Sequence, residues 1–163
     1  MREQYYHSAD RLLSRYNPGR IRRVVLYASG RRRVTERSRG ERLRRVLGEL
    51  QSLSPDVKAG VVISGGETLA STLPEGVDSE RVSAMISALF NLAGRTAREQ
   101  GRDAPRNVKV RNELGYVLLS RVDGETVLAA ITGTEARIGL IFYDMRNAGR
   151  EISRILKEEE GEA

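Results

Sequence analysis

Residues 57–100 read VKAGVVISGGETLASTLPEGVDSERVSAMISALFNLAGRTAREQ. The first eight, Val57–Ser64, are rich in β-branched residues and predict an interior strand. Gly65-Gly66 supplies the positive φ that a tight hairpin needs, so Glu67 to Thr72 should return as the partner strand. Pro74 and Gly76 make the next loop, with Asp78 or Ser79 placed to cap a helix. The period then changes. Val82, Met85, Ile86, Leu89, Leu92, Ala93 and Ala97 recur at helical spacing and predict a helix over about 80–100, stopped by Gly101. A hairpin followed by one long amphipathic helix therefore sits at the middle of the chain.

Downstream, Arg106 to Arg111 alternates, with Val108 and Val110 on one face. Asn112 to Gly115 is a turn, Tyr116 to Val122 a strand, Asp123-Gly124 a hairpin turn and Thr126 to Thr132 the last strand. Ile141, Met145, Ala148, Ile152, Ile155 and Leu156 then mark the buried face of a helix over about 136–158, with the acidic residues from Glu158 on expected to fray. Gly139 weakens its first turns unless close packing there excludes a Cβ. Upstream, Ser38-Arg39-Gly40-Glu41 fits a capping box. Leu43, Val46, Leu47, Leu50 and Leu53 form the stripe of the helix behind it, which Ser54-Pro55 ends. Before it come a helix pattern over residues 2–16, the breaker Asn17-Pro18-Gly19, and a short hairpin pattern from Val24 to Thr35.

The expected organisation is thus a basic N-terminal extension over 1–37 and a layered domain over 38–163, with the element order αββαβββα. Hairpin-length connections require antiparallel pairing within each strand group. The simplest way to bury these stripes is an α+β fold, a five-stranded antiparallel sheet with helices on its faces.

Composition excludes much chemistry. There is no cysteine and one histidine, His7, so thiolate, Ser–His and Cys–His machinery is not expected. No G-x-x-x-x-G-K-[ST] loop is present, and Gly65-Gly66 lies inside a hairpin rather than between a strand and a helix. Glu75, Asp78 and Glu80 surround a helix N-terminus, where capping explains them better than acid–base work. No spacing of Asp, Glu and His suggests a metal. Neither catalytic residues nor a cofactor are expected. No apolar run approaches the ~20 residues of a membrane span, so a cytoplasmic protein is the expectation.

Charge is unevenly distributed. Residues 1–45 hold fourteen arginines against four carboxylates, so they carry +10 where the whole chain carries +6. Arg20, Arg22, Arg23, Arg31, Arg32 and Arg33 flank the N-terminal hairpin pattern as a candidate basic patch. Such a patch fits nucleic acid or an anionic membrane surface, docking to an acidic protein, or a solvated face that pairs with acidic residues such as Glu158–Glu160.

Three stretches resemble one known family. Val57–Ser71 is similar to the first hairpin of the roadblock family, the group of dynein light chains and MglB-like GTPase regulators. Leu73–Leu92, LPEGVDSERVSAMISALFNL, resembles its central helix and the preceding loop. Val127–Met145, VLAAITGTEARIGLIFYDM, resembles its last strand and the entry to its final helix. The resemblance implies dimerisation through the central helix and the third strand, here Met85, Leu89 and Leu92 with Val108, Lys109 and Val110. It also implies a non-catalytic homodimeric regulator or scaffold for a Ras-like small GTPase, acting by binding. The alternatives are a nucleic-acid-associated protein using the Arg-rich N-terminal segment, or a purely structural subunit of a larger assembly. Independent physical arguments agree with the dimer. The third strand begins a meander after a helix and is a natural edge, which proteins either protect or use. The central helix, with Phe90 counted, is apolar over more than one face.

Overall fold

The computed structural model describes residues 39–161. The expected N-terminal helix and hairpin, the Arg20–Arg33 patch and the Ser38 cap lie outside the described residues. The elements are helix α1 over 39–53, strands β1 (Val57–Ser64) and β2 (Glu67–Ser71), helix α2 (Ser79–Glu99), strands β3 (Asn107–Asn112), β4 (Gly115–Asp123) and β5 (Thr126–Thr132), and helix α3 (Ile138–Glu160). The strands form one antiparallel sheet in the order β2-β1-β5-β4-β3, so β2 and β3 are its edges. The expected α+β architecture and element order are those observed. Helix α3 starts two residues later than its pattern suggests and continues through Glu160 rather than fraying from Glu158.

The two sheet faces are covered unequally. On one, Leu43, Val46, Leu47 and Leu50 of α1 and Ile141, Met145, Ile152 and Ile155 of α3 pack over Val57, Val62, Leu118, Leu128 and Ala130. On the other, α2 is the one helix among the described residues, and it sets Ile86 and Phe90 against Val61, Ile63, Leu119, Val127 and Ala129. Residues two apart share a strand face, so Val57 and Val62 would ordinarily point opposite ways. The register shift between Val57 and Ala59 puts both in the α1/α3 layer. Gly60 then faces α1, where a Cβ would come within 2.9 Å of Leu47 Cδ2.

Polar contacts fix how the helices sit. Asp78 caps α2, accepting from the Arg81 amide at 3.1 Å. Buried Ser83 of α2 pairs with Thr68 of β2 at 2.7 Å. Arg42 of α1 meets Glu158 of α3 at 2.6 Å, so one N-terminal-side arginine does pair with the acidic tail. Ser54, just past α1, donates to Asp144 of α3 at 2.7 Å. Leu53 departs from expectation. It falls on the sequence stripe, yet it sits in the last turn of α1 and is exposed.

Two glycines differ sharply in what they do. Gly115 opens β4 with φ +143°, and a Cβ there would lie 2.0 Å from the Thr132 carbonyl oxygen. Gly139 in the first turn of α3 is exposed and has nothing within 4 Å of a Cβ, so packing does not call for it. Gly115→Ala is expected to destabilise the domain by at least about 2 kcal/mol through strain and clash. Gly139→Ala should stabilise it by about 0.5–1 kcal/mol. Urea denaturation of both variants against wild type checks the pair.

Candidate interaction surface on helix α2 and edge strand β3

Helix α2 runs across a sheet it cannot cover. Its buried line is Ser83, Ile86, Phe90 and Gly94. Apolar side chains continue from that line around one flank only. Val82 and Leu89 are half-buried, while Met85 and Leu92 are 63% and 58% exposed. The opposite flank is polar, with Glu80, Ser87, Asn91 and Arg98. The apolar face is therefore wider than the sheet beneath it, and the surplus all points one way.

That surplus points at the β3 edge. In the β3–β4 register Val108 pairs with Leu119 and Val110 with Val117, which places both valines on the α2 side of the sheet. Between the helix flank and the strands lies a groove of about 350 Å³. Val82, Met85, Ile86 and Leu89 form its helix wall, and Val110, Val117 and Ile131 its floor. No charged side chain lines it. Val110 is 37% exposed, and nothing among the described residues pairs with the outer edge of β3. The structure thus joins an unpaired strand edge to an open apolar groove, and both features promote protein association.

Five of the six residues expected here converge on this surface. Met85, Leu89 and Leu92 supply the flank, and Val108 and Val110 the floor and edge. Lys109 does not join them through its side chain. It pairs with Leu118, a residue of the α1/α3 core layer, and so points to the opposite sheet face. Only its backbone belongs to the edge. Sequence reasoning passed over Val82, Val117 and Ile131. Val82 was legible as part of the helix stripe, but the two strand residues needed the sheet order. Phe90 reverses its expected role. It is 2% exposed and lies in the core, so the extra apolar width of α2 comes from Met85 and Leu92.

A second concavity, of about 520 Å³, lies between the β1–β2 turn, the β4–β5 turn and the polar flank of α2. Its most distinctive side chain, Arg121, is already engaged. The guanidinium lies 4.8 Å from the Phe90 ring centroid and donates to the Gly124 carbonyl at 2.9 Å. Among the described residues no buried side-chain nitrogen or oxygen lacks a partner, and no cluster of metal-ligating residues occurs. No helix among them is long and apolar enough to cross a membrane.

Comparisons with known proteins agree with the fold. The model of the Roadblock/LC7 domain matches residues 43–132. The uncharacterized proteins MJ1340 and MJ0310 of Methanocaldococcus jannaschii are each 38% identical over 109 residues, covering 66% of this chain and 94% of theirs. Myxococcus xanthus MglB superposes with a TM-score of 0.66 at 16% identity, over 72% of this chain and 90% of that one. A Roadblock/LC7 domain from Streptomyces avermitilis gives 0.61 at 22%, over 69% and 95%. At these identities the solved structures speak for the fold.

Phe90 and Leu92 are two residues apart on α2 and differ completely in burial, which separates core from surface. Phe90→Ala should cost about 3–5 kcal/mol. Leu92→Ala should cost less than about 1 kcal/mol in a monomeric protein. Chemical denaturation at low protein concentration tests the contrast.

Proposed function

The chain belongs to the Roadblock/LC7 domain family, and we propose that it works as a non-catalytic homodimeric regulator or scaffold for a Ras-like small GTPase. The observation that carries this reading is the open apolar groove between α2 and β3, set beside a strand edge that no described residue pairs with. A second copy of the chain is the occupant that fits both features. Antiparallel pairing of two β3 strands satisfies the edge of each, and in the same step Met85 and Leu92 of each copy gain an apolar surface to cover. Each such side chain fully buried contributes about 1.5–3 kcal/mol. The result is one sheet continued across two protomers.

On this reading the dimer acts by binding. Its surface favours one arrangement of the GTPase switch segments and so biases nucleotide exchange or hydrolysis. The GTPase supplies its own phosphate-binding loop, since this sequence has none. The resemblance in the sequence supports the regulatory role. The dimer itself is supported by the geometry of α2 and β3.

Two measurements test the two halves separately. Sedimentation of the 18.2 kDa chain in the micromolar range should give twice the protomer mass. Met85→Glu and Val110→Glu, each placing a charge in the groove, should weaken association at least about 100-fold, equivalent to about 2.7 kcal/mol. A wild-type chain that stays a single protomer refutes the dimer. Pull-down and hydrolysis assays with a Ras-like GTPase from the same organism address the partner. Absence of binding in both nucleotide states refutes the regulator and leaves the dimer standing.

A further inference from the structure

The α1/α3 side of β3 carries a different surface. Along β3, side chains alternate between the two sheet faces. While Val108 and Val110 face α2, Lys109 and Arg111 pair with Leu118 and Tyr116, which belong to the α1/α3 layer. Both cations are exposed, about 7 Å apart as successive same-face positions. Next to them a groove of about 220 Å³ runs between α3 and β4. Arg146 and Arg150 line it, with the Ser120 and Ser153 hydroxyls, a floor of Val122, Met145 and Gly149, and the backbone-paired residues Arg106 and Arg121.

Lys109, Arg111, Arg146 and Arg150 are short of partners. Among the described residues none of them forms an ion pair with a carboxylate. Arg150 makes one long contact, 3.4 Å to Asn147, and Arg111 lies 5.8 Å from the Tyr116 ring centroid. The nearby carboxylate of Asp123 is engaged by the Ser153 hydroxyl. Four like charges on the same side of the sheet without neutralising partners repel one another, and an external anion relieves that repulsion.

We propose that this strip, from Arg111 and Lys109 on β3 to Arg146 and Arg150 in the groove, binds the phosphate backbone of a nucleic acid. Three features select that ligand. Three of the four cations are arginines, whose planar fork matches phosphate oxygens bidentately. The strip is extended, as a polymer of regularly spaced anions requires. None of the exposed large apolar side chains lines the groove, whereas a protein partner or a membrane surface would also use apolar anchors. The strip is made of residues other than those of the Arg-rich segment before residue 39. It also lies on the sheet face opposite the α2 groove, so the proposal does not rest on the dimer or on a GTPase.

The test is fluorescence anisotropy of the full chain with labelled single-stranded and duplex oligonucleotides over a salt series. The variants are Arg146→Glu with Arg150→Glu, and Lys109→Glu with Arg111→Glu. Each pair is exposed, and circular dichroism establishes whether each variant folds; if one does not, the other decides. Each pair should weaken binding at least ten-fold and lower the slope of log K against log salt by about two, one for each phosphate no longer neutralised. The same drop should persist in a background with Arg20, Arg22, Arg23, Arg31, Arg32 and Arg33 changed to Ala. Unchanged affinity and slope in folded variants overturns the proposal. So does absence of oligonucleotide binding alongside binding to phosphatidylserine vesicles or to polyglutamate.

Discussion

One helix has to cover a sheet face wider than itself, and most of what is distinctive here follows from that mismatch. The other face has α1 and α3, and their leucines and isoleucines bury the centre of the sheet. Helix α2 has no such neighbour among the described residues. It seals Ile86 and Phe90 over β1, β5 and β4, and its apolar flank is left hanging beyond them. A soluble protein tolerates scattered surface leucines. A continuous groove next to an open strand edge is a different matter, because apolar area and unsatisfied backbone groups are offered to the same visitor.

The unequal coverage also explains which parts of the fold the sequence disclosed. Turns announced themselves locally. Gly65-Gly66, Asp123-Gly124 and the Asp78 cap are choices made within a few residues, and the structure uses each of them. The strands and helices were legible because period two and period 3.6 are hard to confuse over these lengths. What stayed hidden depended on partners distant in the chain. The bulge that turns Val57 and Val62 to one side exists only relative to β5. The clash that reserves position 115 for glycine involves the Thr132 carbonyl, seventeen positions away. Leu53 and Phe90 misled for the same reason, since periodicity states which way a side chain points but not what lies there.

The candidate surface was half legible on the same grounds. Met85, Leu89 and Leu92 could be read from the helix, and Val108 and Val110 from alternation. Lys109 was drawn in by its position between two valines, although alternation itself sends it to the far face. The cationic strip on that face was out of reach of sequence reasoning. Lys109 and Arg146 are thirty-seven positions apart and share a side of the sheet only because α3 lies along β4 beside the sheet edge.

Strand β3 is six residues long and carries two unrelated messages in alternate letters, valines to one side and cations to the other. Either set can drift by substitution without disturbing its neighbour. Insertion or deletion of a single residue inside the strand has no such freedom, because it inverts both faces at once. Lysine and arginine would then enter the oily seam and valine the charged strip. Length, more than identity, is what this strand has to conserve as its lineage diverges.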